Sequence, residues 1–338
     1  MVLKNEICEK IGVRKRIVLG DVGRQYWNAA TDNTKSIKPE FGLDSIIKMT
    51  WIGVDIGGSH ISAAQVLWDG KDVHVGTICD ADVNTYRSAN EIIADWTAVI
   101  GNAMGKLTDC KIGIAMPGPF DYPNGISLVR DQGKMRSLYG LSVKKLLSES
   151  LTISYENIAF TNDAEAFLLG ESLVGAGRNY ENSLGLTLGT GLGSAFKIGH
   201  EIKDAKLWTA AFQDGIAEDY LGTNWFKKYA FEKHGLSISG VKDLLSEDIN
   251  SAIADQIFIE FGYTLGEFLS PYVIRLQCQG VVLGGKIARA ADRFLPQTQA
   301  YLKKSHCSVE ITISVLEDRA ALIGACIPFI SENKPPFA

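Results

Sequence analysis

Apolar and polar positions along this chain fall into two blocks with the same order. In the first, apolar-rich runs at Trp51–Ile56, Ile61–Trp68 and Val73–Cys79 predict three strands joined by tight turns, with Asp69-Gly70 as a hairpin turn. Residues 89–107 carry Ile92, Ile93, Trp96, Val99, Ile100 and Met104 at helical spacing. Lys111–Met116 reads as a buried strand ended by Pro117-Gly118-Pro119, whose rings stop it sharply. Val143–Leu151 reads as a helix, Ile158–Thr161 as a strand and Asp163–Val174 as a helix.

After residue 175 the order begins again. Leu184–Leu188 and Ser194–Ile198 predict a hairpin, and a long helical region starts near 215. Phe258, Phe261, Leu265, Phe268 and Leu269 mark one helix face there. Gly280–Gly285 is a strand entering a glycine turn, Val309–Val315 a late strand, and Asp318–Ile330 a terminal helix. Each half places strands before helices, so the pattern predicts an internal duplication of a β-β-β-α-β-α unit. Residues 1–48 stand outside it: they hold a short strand at Arg16–Leu19 and a turn-rich stretch from Asn28 to Pro39. They are either an arm or an extension ahead of Met49, where a compact domain would naturally begin.

Both blocks contain an apolar strand, a glycine turn and a returning strand. One is Val54-Asp55-Ile56-Gly57-Gly58-Ser59-His60; the other is Leu186-Thr187-Leu188-Gly189-Thr190-Gly191-Leu192-Gly193, about 130 residues later. Such turns let backbone N–H groups close on a phosphate without interference from a Cβ. The second is neither a Walker loop, since no Gly-Lys-Ser/Thr follows, nor a dinucleotide fingerprint, since a strand follows where a helix should begin. The Thr190 hydroxyl and adjacent N–H groups suit phosphate oxygens.

The chain of 338 residues is long for one core, and two lobes are expected. A net charge of −5 without a long Lys/Arg run argues against a nucleic-acid face. The cysteines at 8, 79, 110, 278, 307 and 326 form no CxxC, so reduced thiols and a cytoplasmic location are expected. No apolar run approaches the roughly 20 residues of a membrane span.

Two acidic positions carry candidate chemistry. Asp55, at the end of a buried strand beside a glycine turn, is either a hairpin residue or a partner for Mg²⁺, directly or through water. Thr161-Asn162-Asp163-Ala164-Glu165 joins a strand to a helix, where Asn162 or Asp163 would cap the helix. Asp163 would equally serve as a general base on a substrate hydroxyl, with Asn162 holding a neighbouring hydroxyl. Gly284-Gly285 would form an ordinary turn or pack against an adenosine, and Gly113–Pro119 would wall a substrate cleft at Gly118.

Together these motifs resemble the ROK family of repressors, open reading frames and sugar kinases, glucokinase-like members of the actin/hexokinase/Hsp70 ATPase superfamily. The resemblance runs from Trp51 to Ala325, about four-fifths of the chain. It rests on Asp55–Ser59, Gly113–Pro119, Asn162-Asp163-Ala164 with Gly170-Glu171, Leu186–Gly193 and Val281–Gly285. It implies a two-lobed actin-like ATPase (ribonuclease H-like) α/β fold. The smaller lobe would span 49–174 plus 318–338, and the larger lobe 175–317. It implies an ATP:sugar phosphotransferase using ATP and Mg²⁺, with Asp163 as base, Asn162 and Gly118 at the sugar, and Asp55 close to Mg²⁺. Gly57, Gly58, Ser59, Gly189, Thr190, Gly191, Gly193, Gly284 and Gly285 would face the nucleotide. A homodimer is expected by family analogy. The other functions the resemblance allows are a transcriptional regulator and a non-catalytic sugar or nucleotide sensor.

The sugar-facing half departs from the family pattern. Residues 194–217 lack the Glu-x-Gly-His segment and the Cys-x-Cys-Gly-x-x-Gly-Cys cluster, so no structural zinc is expected. His200 falls at a hairpin turn, too early to be the family histidine. Glu218 matches the sugar-contacting glutamate that follows the cluster; alternatively it is a solvated carboxylate at a helix start. The Asn-x-x-Trp segment is replaced by Asp131-Gln132-Gly133-Lys134-Met135-Arg136, where Lys134 or Arg136 is either a solvent-exposed cation, the reading favoured for each alone, or one that would suit an anionic substrate.

Overall fold

A computed structural model describes residues 14–16, 49–69, 72–130 and 134–330. The chain divides into two units. The first is 1–113 with 119–159; the second is 114–118 with 160–338. The division runs through two strands, β6 (Lys111–Met116) and β9 (Ile158–Asn162).

The first sheet is built on β1 (Arg14–Arg16), β2 (Met49–Ile56), β3 (His60–Trp68), β4 (Val73–Val75) and β5 (Ile78–Asp82). Its order is β1-β5-β3-β2-β6-β9, with β4 also paired to β3. Of the strand expected at Arg16–Leu19, only Arg16 lies among the described residues, and Gly70 lies outside them. The single strand expected at Val73–Cys79 is two. Val75 pairs with Val66 and Cys79 with Ala63, so three residues on one strand face two on the other. The extra residue is a β-bulge, and the Gly76 N–H donates to the Gln65 carbonyl at 2.8 Å within it.

Helix α1 (Ala89–Met104) starts at a capping box in which Ser88 and Glu91 satisfy each other's backbone N–H. It buries Ile92, Ile93, Trp96, Val99 and Ile100, the face its periodicity predicts. Two short strands, β7 (Phe120–Asp121) and β8 (Ile126–Ser127), precede α2 (Val143–Leu151).

In the second unit, α3 (Asp163–Val174) precedes β10 (Asn182–Leu188), β11 (Leu192–Ile198) and β12 (Glu201–Asp204), which pair antiparallel in turn. A small hairpin, β13 (Ala211–Phe212) and β14 (Gly215–Ile216), leads into α4 (Ala217–Leu221), α5 (Thr223–His234) and α6 (Ser251–Leu276). Then come β15 (Gly280–Gly284), α7 (Ala291–Lys304), β16 (Glu310–Ile313), α8 (Arg319–Ala325) and α9 (Ile327–Ile330). The helix expected over Asp318–Ile330 is thus two. The sheet order is β12-β11-β10-β15-β16, with β15 parallel to β10 and β16.

Leaving aside β1 and β4, both sheets read third-second-first-fourth-fifth in chain order. This shared order is the expected duplication, and it gives the mixed α/β arrangement of the actin-like ATPase fold. The second unit's core is aromatic: Phe226, Phe258, Phe261, Phe268 and Phe294 are essentially fully buried.

Helix α3 and residues 318–330 fall in the second unit, whereas the sequence reading placed 49–174 plus 318–338 in the smaller lobe. Their packing explains it. Ala166 and Gly170 of α3 face Ala320 and Gly324 of α8 so closely that a methyl at Gly170 would strike the Ala320 carbonyl and one at Gly324 the Ala166 carbonyl. Ala115 joins Ala166 and Ala325 in a small-residue cluster beside them.

Candidate functional site

The first glycine turn links β2 to β3. Its Gly57 N–H donates to the His60 carbonyl at 2.8 Å. The Gly58 carbonyl accepts from the Thr85 hydroxyl at 2.7 Å, and the Ser59 carbonyl from the Val83 N–H at 2.9 Å. Among the described residues, the N–H groups of Gly58 and Ser59 have no protein acceptor. The turn therefore fixes its carbonyls inward and leaves donors for an anion. Asp55 sits partly buried at the end of β2, opposite Ser62.

The second turn follows the same plan with different anchors. Gly189 donates to the Gly191 carbonyl at 3.0 Å. The Gly189 carbonyl accepts from both the Thr223 N–H at 2.9 Å and the Thr223 hydroxyl at 2.8 Å. The N–H groups of Thr190 and Gly191 have no acceptor among the described residues. Glu218, in the first turn of α4, closes this loop from behind: its Oε2 accepts from the Leu192 N–H at 3.0 Å. A methyl at Gly191 would collide with that carboxylate, so a side chain there would push Glu218 off the Leu192 N–H. Glu218 is thus neither a free surface carboxylate nor only a candidate sugar contact; one of its oxygens is committed to the loop.

Asn162 caps α3, its side-chain oxygen accepting from the Glu165 N–H at 3.0 Å. Asp163 is the first residue of the helix, and its Oδ1 takes the Ala164 N–H at 2.9 Å. Ala164 lies next to Gly193, where a methyl would come within 3.2 Å of it. The start of α3 is therefore seated against the strand leaving the second glycine turn. Burial holds the Asp163 carboxyl above the ordinary carboxylate range; the Ala164 N–H opposes this and the Asp204 carboxylate adds to it. Asp204 ends β12, which the sequence reading did not predict. Its N–H donates to Glu165 Oε2 at 3.3 Å. The signal lay in the repeat, because the first block also has a third strand ending in aspartate, Ile78–Asp82.

Two predicted nucleotide residues stand outside the turns. Gly193 is in β11 opposite Thr187, and Gly284 is in β15, where a methyl would press on the Phe167 ring of α3 at 2.6 Å. Both let α3 approach the sheet. Gly285 has a left-handed φ of 85° and passes so close to the Leu188 carbonyl that a side chain there would collide with it. Gly118 lies just past β6, partly exposed. The first unit thus gathers Asp55, Gly57, Gly58 and Ser59. The second gathers Asn162, Asp163, Gly189, Thr190, Gly191, Glu218 and Gly285.

Among the described residues, no three His, Cys, Asp or Glu side chains are placed to hold a metal ion. One carboxylate, Asp55, on the turn that carries the Gly58 and Ser59 N–H groups fits an ion carried largely by phosphate oxygens and water, as Mg²⁺ is with nucleotides. No helix among the described residues is long and apolar enough to cross a membrane.

Residues 51–205 match the ROK family, a span that includes both glycine turns and Asn162-Asp163. A glucokinase of Thermotoga maritima is 32% identical over 146 residues, 43% of this chain and 44% of that protein. A glucokinase of Halalkalibacterium halodurans is 26% identical over 316 residues, covering 81% of this chain and 93% of the relative. The crystal structure of a ROK family glucokinase from Streptomyces griseus, in complex with glucose and AMPPNP, superposes with a TM-score of 0.65 at 20% identity. That superposition covers 82% of this chain and 98% of the other, and it shows a shared fold. The matched span carries both glycine turns and the capped aspartate, and over it the chain is similar to the ROK family.

Proposed function

We propose that the protein transfers the γ-phosphoryl group of ATP to a hydroxyl of a sugar, a hexose, N-acetylhexosamine or related compound. The observation that carries this reading is the pair of glycine turns whose carbonyls are anchored by protein donors while Gly58, Ser59, Thr190 and Gly191 keep N–H groups unclaimed. Backbone donors fixed in this way meet developing charge on phosphoryl oxygens without reorganising. The two relatives named glucokinase, and the neighbour solved with glucose and AMPPNP, support sugar and ATP as the substrates.

In this reading Asp163 accepts the proton of the attacking hydroxyl. The sugar oxygen forms a bond to phosphorus as the bond to the ADP oxygen breaks, and the proton ends on Asp163. An aspartate raised above its ordinary range by burial is a better proton acceptor in its ionised form than a solvated one. Asn162 turns its side-chain oxygen to the helix N–H, which fixes its amide for a neighbouring sugar hydroxyl. Glu218 has one oxygen on Leu192 and its other is available to a sugar hydroxyl. Bound near Asp55, Mg²⁺ would supply positive charge to the β- and γ-phosphate oxygens.

The test is ADP release measured over a panel of hexoses, N-acetylhexosamines and sugar acids. At least one sugar is expected to raise release well above the sugar-free rate. A flat panel overturns the kinase reading.

A further inference from the structure

The segment that replaces the family's sugar motif brings a cation to the first glycine turn. A methyl built on Gly58 would lie 3.1 Å from Cδ of Lys134 and 3.3 Å from its Nζ. The lysine stem and its ammonium therefore rest against the bare Cα of Gly58. The seat is anchored to the same residue by a short relay. The Met135 N–H donates to the Thr85 carbonyl at 2.8 Å, and the Thr85 hydroxyl donates to the Gly58 carbonyl at 2.7 Å. Thr85 is buried, as are Met135, which caps a short 3₁₀ turn at Arg136–Leu138, and Leu138, which ends it. Met135 adopts a left-handed φ of 58°, a conformation that non-glycine residues rarely hold. Lys134 is thus delivered by fixed backbone rather than by a free loop.

Its charge has no visible counterpart. Among the described residues Lys134 forms no ion pair, while Arg87 pairs with Asp95 and Lys145 with Glu149. Beside it, the N–H groups of Gly58 and Ser59 also lack acceptors. An ammonium and two free N–H donors on one turn repel a bare cation and are all satisfied by an anionic oxygen. A compact ammonium suits a phosphoryl oxygen as a point charge.

We propose that Lys134 binds a non-bridging oxygen of the phosphoryl group being transferred, and so is a catalytic residue of this chain. This rests on the kinase reading above and names a further ligand within it. The same chemistry would suit an anionic group on the sugar. The two sources separate in binding experiments, because the first depends on the third phosphate of the nucleotide and the second on the charge of the acceptor.

The test compares wild type, Lys134→Met, which keeps the stem against Gly58, and Lys134→Arg, which keeps the charge. Binding of ATP and of ADP, each with Mg²⁺, is measured by calorimetry, and kcat and KM with the best neutral sugar. For Lys134→Met, ATP affinity is expected to fall about 10-fold with ADP affinity nearly unchanged. Its kcat should fall about 100-fold, the scale for one lost donor to transition-state charge. Lys134→Arg should recover most of both. Equal losses for ATP and ADP, as partial unfolding would give, overturn the proposal. So does an unchanged ATP-to-ADP ratio, and so does an effect confined to the KM of sugar acids. The nucleotide ratio needs no sugar, so it is read even where the sugar panel is flat.

Discussion

The two glycine turns occupy equivalent places in sheets of the same strand order, yet they are held differently. The first is anchored by a neutral hydroxyl, Thr85, and carries the ammonium of Lys134 on its glycine. The second is anchored by Thr223 and backed by the carboxylate of Glu218. Duplication supplied the same backbone cradle twice, and the side chains behind each copy gave it opposite charge. The Glu218 carboxylate accepts the Leu192 N–H, so one of its oxygens is turned to the backbone of the loop. The first turn differs, since its free ammonium calls for an anion. The second turn also has a helix-borne aspartate, Asp163, seated beside its outgoing strand through Ala164 and Gly193.

The largest expected effect tests that asymmetry at its acidic end. Asp163→Asn should lower sugar-dependent ADP release by about 10³-fold, within the range for a positioned general base, with nucleotide affinity unchanged. Stability separates lost chemistry from lost fold. The Asp163 carboxyl lies above its ordinary value of 3.8 in the folded protein, so the folded state binds its proton more tightly than the unfolded chain. Its contribution is full below pH 3.8 and is lost as pH rises through the folded value. At neutral pH the ionised, buried carboxylate is a cost that asparagine does not carry. The inactive variant should therefore melt at or above the wild-type temperature at pH 7. Near-normal turnover, or a lower melting temperature, would contradict the assignment of Asp163 as a base tuned by burial.

Glu218 comes next. Glu218→Ala removes the acceptor of the Leu192 N–H and should cost about 1–3 kcal/mol in urea unfolding. It should also weaken nucleotide binding, because the Thr190-Gly191 turn loses its support. Glu218→Gln keeps a carbonyl oxygen for Leu192 and should recover most of the stability. Should Gln recover stability but not sugar KM, the carboxylate has both roles, loop support and sugar contact.

At the first turn, Thr85→Val removes the hydroxyl from the Gly58 carbonyl in a side chain only 1% exposed. A loss of about 1 kcal/mol is expected, the net worth of one neutral hydrogen bond. The matching change, Thr223→Val, leaves the Thr223 N–H on Gly189 and should cost less. Reversal of that order would show that the turns are anchored elsewhere.

Much of this was legible in the sequence because the turns are local. Glycines at 57, 58, 189 and 191 flanked by apolar runs report hairpins without reference to the rest of the chain. The α3 boundaries followed from Asn162 as cap and the helical run after it. What depends on distant packing was not legible. Gly193 and Gly284 look like loop glycines, but they sit in strands, small because the Thr187 hydroxyl and Ala164 crowd the first and the Phe167 ring of α3 the second. The bulge at Gly76 divides a strand whose hydrophobicity runs on unbroken. The sequence reading put α3 and α8 in one lobe, but not in the unit with β10–β16; the close contact between the two helices depends on four small residues, Ala166, Gly170, Ala320 and Gly324, more than 140 positions apart in two pairs. Asp204 was missed because Glu201–Asp204 is too short, with Ile202 its one apolar residue, to announce a strand.

Asp204 gives the smallest and most discriminating test. Its carboxylate pushes Asp163 further above the ordinary range, after burial has set the main rise. Asp204→Asn removes that push and keeps an oxygen for the Lys206 N–H, which Oδ1 accepts at 2.8 Å. The Asp163 carboxyl should then release its proton at lower pH. Since the base acts only when ionised, the acidic limb of kcat against pH should move to lower pH, with the plateau near its wild-type height. An unmoved limb would mean that burial alone sets Asp163. A plateau that collapsed as far as in Asp163→Asn would instead make Asp204 a partner in the proton transfer. The second turn would then work with a pair of carboxylates, while the first works with a single cation.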